Sequence, residues 1–269
     1  MPVATWMSQH RIWTVGIGVI GLVALLAAVA AGLWYFVLRT PSTRVDLSQA
    51  LRQYQLAQKG KQGAAAGQIP SGVYRYATSG SEHLSFGGIS RSFPPTSEMI
   101  VTNNAGCSTM KWEPIEQHIE GLVVCPSGHG SLSVRSASSF EDIAGSATTS
   151  TITCPAGAYY LPPTSTIGHR WQVTCHSPGD TVRFSGQIMS PSLVDVGKTS
   201  IPAAHVRIVF SFSGSESGLN PNDYWVSAHN GLVLRQSETV NVSQKAGPLG
   251  SVHYAETMAI SLKATSPTR

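Results

Sequence analysis

Read for hydrophobic and polar positions, the chain falls into two unlike parts. Residues 12–38 (IWTVGIGVIGLVALLAAVAAGLWYFVL) carry no charged side chain. About 20 apolar residues span a bilayer core, so this run predicts a single transmembrane helix with some tilt. Trp13 at one end, and Trp34 with Tyr35 at the other, stand where amphipathic rings favour the headgroup boundary. A cleaved leader would use Ala28 and Ala30 as its Ala-x-Ala site, but the apolar run continues to Leu38 instead of turning polar. A retained anchor is the expectation. Gly16, Gly18 and Gly21 spell a dinucleotide fingerprint, yet they lie inside the apolar run, without the strand and helix that pattern requires.

Past the anchor the periodicity changes twice. In the stem, residues 39–69, Leu47, Ala50, Leu51 and Tyr54 share one helical face, and Ser42 or Thr43 offers a cap. Residues 60–67 (GKQGAAAG) then read as a flexible spacer. From Pro70 onward short β-type runs dominate: 73–76, 99–101, 121–124, 171–174, 180–184, 252–255 and 258–262, bounded by Gly, Ser, Pro and Asn. Residues 205–212 form the longest, with Val206, Ile208, Phe210 and Phe212 on one face. Asn230-Gly231 between 223–226 and 232–235 predicts a type I′ hairpin. Residues 139–144 (SFEDIA) are the one expected helical turn. The fold class is therefore mainly β: one transmembrane helix, then an antiparallel curved sheet, half-barrel or barrel.

Charge sharpens this division. The net charge of +4 is concentrated in residues 1–69, which hold six basic groups against Asp46 alone; residues 70–269 hold 12 basic and 13 acidic groups. A near-neutral β region lacks the basic field of nucleic-acid binding, so no nucleic-acid partner is expected. Cys107, Cys125, Cys154 and Cys175 all fall in the β region, and none forms a C-x-x-C pair. That pattern predicts two disulfides in an oxidising compartment; of the three possible pairings the sequential one, Cys107–Cys125 with Cys154–Cys175, is preferred because each bond closes a loop of hairpin size. Flanking basic residues mildly favour the opposite orientation, but long domains translocate largely regardless of them. The expected topology is a cytoplasmic tail over 1–11, the membrane helix over 12–38, and an extracytoplasmic β domain over 70–269.

Catalytic patterns are sparse. Residues 214–218 (GSESG) mimic a nucleophile elbow but place glutamate at its centre. Neither a phosphate-cradling loop nor a His-Glu-x-x-His helix occurs, so no enzyme activity, cofactor or resident metal is expected. Glu116, His118 and Glu120 would point to one side of a strand, a spacing that suits a metal or an acid–base pair. The same alternation describes a solvated strand face with Ile115 and Ile119 turned inward, and that reading is preferred. His169, Cys175 and His176 make a second cluster, ruled out as ligands if Cys175 is oxidised. The candidate ligand face is apolar: Trp112, Trp171, Phe210, Phe212, Tyr224, Trp225 and Tyr254, either lining a concave sheet or filling a closed core.

Residues 223–235 (DYWVSAHNGLVLR) resemble the late hairpin of LolA-like and LppX-like bacterial envelope lipid carriers, over the last third of the chain. The resemblance implies an antiparallel half-barrel cupping acyl chains, with no catalytic residues. No lipobox cysteine follows the apolar segment, since the first cysteine is Cys107, and helices to plug a mouth are nearly absent. The expected function is thus a single-pass, extracytoplasmic β domain that binds lipid or glycolipid or assists an envelope export assembly, with the bilayer and an envelope protein as partners. The alternatives are a structural or protein-interaction ectodomain with a filled core and, least favoured, an envelope hydrolase.

Overall fold

The β-type runs assemble into one sheet in the computed structural model, which describes residues 42–59, 68–85, 88–143, 146–164, 166–245 and 251–269. Nearly all of these belong to one compact unit, Ser42–Asp142 with Ser146–Arg269. The expected tail (1–11), membrane run (12–38) and spacer (60–67) lie outside the described residues. Among the described residues no helix is long and apolar enough to cross a membrane.

In chain order the elements are α1 (Leu47–Gln58), β1 (Gly72–Leu84), β2 (Ile89–Ser92), β3 (Thr96–Asn104), β4 (Cys107–Ile115) and β5 (His118–Pro126). There follow β6 (Leu132–Ile143), β7 (Ser146–Thr153), β8 (Tyr159–Leu161), β9 (Arg170–Ser177) and β10 (Asp180–Ile188). The last are β11 (Ser192–Val196), β12 (Thr199–Gly214), β13 (Glu216–Ser227), β14 (Val233–Lys245) and β15 (Ser251–Leu262). The 15-stranded sheet runs β10-β9-β7-β6-β5-β4-β3-β1-β15-β14-β13-β12-β11, and β10 also pairs β12. That extra pairing, nine residues long from Asp180↔Gly214 to Ile188↔Val206, turns the sheet into a closed ring of strands. Only β2, β8 and β11 lie off the circuit. Closure removes most of the exposed strand edge that an open sheet would leave.

Alternation decides what the ring encloses. Tyr74 and Tyr76 of β1, Val134 of β6, Phe184 of β10, Val206 and Ile208 of β12, Val226 of β13 and Leu234 of β14 are all at most 1% exposed and belong to one core. Two tyrosines cross one end of it. The Tyr76 hydroxyl donates to the Val233 carbonyl at 2.7 Å, and the Tyr160 hydroxyl to the Gly231 carbonyl at 3.2 Å.

The expected disulfides are both present, as Cys107–Cys125 and Cys154–Cys175. They staple unequal seams. β4 and β5 are paired along most of their length, whereas β7 meets β9 only through Thr153↔His176, beside Cys154–Cys175.

Helix α1 uses a different cap from the one expected. Asp46, not Ser42 or Thr43, accepts from the Gln49 backbone N–H at 2.8 Å, and Ser48 donates to the same carboxylate. The helix docks on the outer side of the sheet: Val45, Ala50 and Tyr54 bury against Val73 and Ile100. Those two strand residues alternate with Tyr74, Met99 and Val101 of the enclosed core. No described helix plugs the ring.

Two local expectations need correction. The hairpin between β13 and β14 exists, but its loop spans 228–232 and is not a two-residue turn. Gly231 has φ +74°, Asn230 does not share a positive φ, and the Asn230 side chain instead accepts from the Leu232 N–H. A type I′ turn needs positive φ at both positions. Residues 139–143, read as a helical turn, are extended in β6, where β5 supplies ladder partners such as His118↔Glu141. Pairing with a neighbour overrides the weak local preference of so short a segment.

Candidate functional site

The ring's other end is polar. On β1 the inward series Tyr74, Tyr76, Thr78 and Gly80 continues to Glu82, and on β15 the series Leu262, Ile260 and Met258 continues to Glu256 and Tyr254. Glu82 and Glu256 are directly paired across the two strands. His118 and Glu120 open the inward face of β5, and Glu141 stands opposite His118 on β6. Gln236 and Glu238 of β14 and Asn222 of β13 complete the lining.

His118 is the hub. It is 1% exposed and sits between the rings of Phe93 and Trp112, at 5.4 and 5.8 Å between centroids. Its Nδ1 lies 2.9 Å from Glu82 Oε2. The other Glu82 oxygen meets Arg91 Nε at 2.5 Å, and Arg91 also donates to the Asp142 carbonyl. His118 Nε2 has no hydrogen-bond partner among the described residues; Glu120 Oε1 lies at 3.6 Å and Glu256 Oε2 at 3.9 Å. The Tyr254 hydroxyl lies 2.9 Å from Glu82 Oε2 and 2.6 Å from Glu256 Oε2. One hydroxyl hydrogen cannot serve two carboxylates, so one of the two contacts is made by a proton held on a carboxyl.

The electrostatics identify which. Burial raises Glu82, but the His118 hydrogen bond and charge, then Arg91 and Tyr254, overcome it and hold the carboxyl below its usual range. Burial pushes Glu256 up to about 8; His118 opposes this, and Glu120 and Glu82 add to it. The raised value favours a proton on Glu256, which eases the conflict over the Tyr254 hydroxyl that reaches both carboxyl groups. Burial alone would depress the His118 imidazolium, yet the surrounding Glu256, Glu120 and Glu82 carboxylates drive it well above the ordinary histidine value. Burial moves Glu141 to about 7. Glu238 goes well above the usual carboxylate range through burial, reinforced by Glu120 and Glu256. The interior thus holds more carboxyl groups than cations and stores protons to compensate.

Several sequence expectations are redistributed by this geometry. Glu116 is not on a strand with His118. It lies exposed in the β4–β5 turn, where its N–H donates to the Thr43 carbonyl and its carboxylate accepts from Gln49 of α1. It clasps the stem. His118 and Glu120 are not a solvated face: β5 enters after that turn, which resets the alternation so that both point inward and Ile119 outward. Cys175 is oxidised, His176 is exposed, and His169 stacks on Trp171 at 6.0 Å, so no ligand cluster forms there.

The candidate aromatic face separates three ways. Trp112, Phe210 and Tyr224 are buried, at 3%, 7% and 8% exposure. Trp112 walls the polar cluster and donates from Nε1 to Ser97 at 2.7 Å. Trp171, Phe212 and Tyr254 face inward but stay half-buried, Trp171 lying over Gly186. Trp225 is on the outer face. It is paired with His205, stacks on it at 4.2 Å, and carries the Arg235 guanidinium 4.7 Å from its centroid. Glu82, Arg91, Glu238 and Glu256 were not singled out in the sequence; extending the apolar alternation of β1 and β15 by two or three further positions would have pointed Glu82 and Glu256 inward.

No protein-family model matches the chain. No curated protein matches it either. Among solved structures, the hypothetical lipoprotein YmcC from Escherichia coli (K12) is similar at 10% identity with a TM-score of 0.30, covering 80% of this chain and 97% of that one. A likeness of that size carries no functional argument.

Proposed function

We propose that this chain is a membrane-anchored, extracytoplasmic binding domain that takes an amphiphile, a lipid or glycolipid, into the open end of its strand ring and performs no chemistry on it. The observation that carries this reading is the asymmetry of the interior. One end is closed by Tyr76 and Tyr160, hydrogen-bonded across the core. At the other, the inward side chains Leu122, Phe212, Glu120, Glu141, Asn220 and Tyr254 remain only half-buried. Apolar and polar groups converging on a partly open concave face are what an amphiphile needs. The carboxyl excess disfavours an anionic phosphate headgroup and suits a hydroxyl-rich or cationic one. Anchoring is supported by the uncharged run 12–38 and the outside location by the two disulfides.

Photo-crosslinking in the native membrane tests this. A photoreactive residue replacing Phe212 captures a small amphiphile, while the same residue replacing Trp225 on the outer face does not. Equal capture at both positions, or none at either, overturns the proposal. Reading two uses the same fold differently: the buried state of Trp112, Phe210 and Tyr224 favours a filled core and a protein-interaction role, which absence of any adduct would support.

A further inference from the structure

The His118 surroundings carry an arrangement that amphiphile binding does not require. Glu82, His118 and Glu256 place one donor atom each within 4.8 Å of one another, and all three are buried. His118 Nδ1 is occupied by Glu82, which leaves Nε2 as the free ring nitrogen. That nitrogen is fully enclosed, has no hydrogen-bond partner among the described residues, and points between Glu120 and Glu256. Glu256 Oε1 is likewise buried without a partner. A carboxylate on one imidazole nitrogen, with the other nitrogen left without a partner, is the pattern that orients a metal-ligating histidine.

Distances decide between a hydrogen-bonded pair and a shared ion. The separations of 3.6 Å to Glu120 and 3.9 Å to Glu256 are too long for hydrogen bonds. Two donors on one tetrahedral zinc, each at its usual bond length, stand about 3.4 Å apart. Both separations from Nε2 are thus close to that between two ligands of one cation. Charge points the same way: Glu82, Glu120, Glu141, Glu238 and Glu256 outnumber the Arg91 and His118 cations beside them, and Arg91 is committed to Glu82, so a bound cation would take the place of protons held there. Access exists, because the Glu120 side chain is 25% exposed while His118 is at 1%.

We infer that His118 Nε2, Glu120 and Glu256 form a binding site for one divalent transition cation of zinc type, with Glu82 positioning the imidazole from behind. One nitrogen with carboxylate oxygens suits zinc or a neighbouring first-row ion better than the all-oxygen preference of calcium or magnesium. Binding releases the protons otherwise held at the site, so affinity rises with pH. His118 and Glu256 lie deeper than the half-buried mouth, to which only Glu120 reaches, and the inference goes beyond the amphiphile reading.

The test is zinc titration of the chelator-treated full chain, followed by calorimetry and by metal analysis after gel filtration. The wild-type chain retains one equivalent. H118Q and E256Q lose it, E82Q binds roughly 10–100-fold more weakly, and H205Q, altered on the outer face, binds as wild type. Should H118Q fail to fold, E120Q reports in its place, since its side chain reaches solvent. Cobalt(II) substitution adds a spectroscopic readout: ligand-field bands of a tetrahedral site appear in the wild type and vanish in E120Q. A wild-type chain that retains no more zinc than H118Q or E120Q, or an H205Q variant that loses as much as they do, overturns the inference.

Discussion

Glu82 and Glu256 stand directly opposite each other on β1 and β15, 3% and 2% exposed, with the Tyr254 hydroxyl touching both carboxyl groups. Like charges in that position repel, and here a proton on Glu256 and the intervening hydroxyl remove the conflict. Replacing Tyr254 with Phe deletes the mediator and leaves buried oxygens unpaired. Tyr254→Phe is expected to destabilise the fold by about 1–3 kcal/mol, read as a lower urea midpoint with an unchanged slope. An unaltered midpoint would show that the two carboxyl groups do not need the hydroxyl.

Acid, not base, should favour the metal-free fold. Glu256 titrates at about 8 and Glu141 at about 7, both raised by burial, and Glu238 and His118 are raised as well. The unfolded chain gives up its carboxyl protons near the ordinary value of 4.5 and its histidine proton near 6.5. Between those values and the folded ones the native state binds more protons, so stability is fully present below the window and is lost as pH rises through it. Glu82 works in the opposite sense: its contribution is present above the ordinary carboxylate value and is lost as pH falls through its lowered one. The groups facing this cluster are Arg91, Glu120, Glu216 and Tyr254, besides those named. Urea midpoints in chelator should fall from about pH 5 to pH 8, and an E141Q/E256Q double variant should flatten the slope. A rise over that range contradicts the protonation pattern.

The two disulfides should differ in what they protect. Loss of either removes a loop constraint worth about 3 kcal/mol, since the spans of 18 and 21 residues are similar. Only Cys154–Cys175 closes the seam where β7 and β9 share a single ladder pair. A C154S/C175S variant should therefore show faster amide exchange concentrated in β9 and β10, whereas C107S/C125S should lose stability without that local opening. Equal exchange in both would mean that the ring is held by its ladders alone.

Gly80 sets how closely β1 approaches β15 beside the acidic pair. Its φ is +135°, and a Cβ there would lie 2.0 Å from the Thr257 carbonyl oxygen. Gly80→Ala must strain the backbone or part the strands, at a cost of at least about 2 kcal/mol. Thermal unfolding measures it, and a shift within error of zero would contradict the close approach.

How much of this was legible in the sequence depends on which residues are considered. The strands along Val206, Ile208, Phe210 and Phe212, and the pairing of four isolated cysteines, follow from alternation and spacing, because both are local signals. Ring closure through β10 and β12 is not local, and no pattern in 180–188 distinguishes a strand with one neighbour from a strand with two. The polar site was hidden for a sharper reason. A Glu-x-His-x-Glu run looks solvated, and only the turn at Glu116–Gln117 reverses which side of β5 faces inward. Trp225 was placed with Tyr224 as a ligand-face residue, although adjacent strand positions face opposite ways.

Amphiphile binding as proposed requires the ring to be a vessel whose open end is occupied. Native mass spectrometry of the full chain, taken up from membranes of the expressing cells into lipid nanodiscs and stripped of disc lipid, measures this directly. The wild-type chain should carry one amphiphile that F212D lacks. A wild-type mass equal to that of the bare polypeptide, with both disulfides intact, would contradict it.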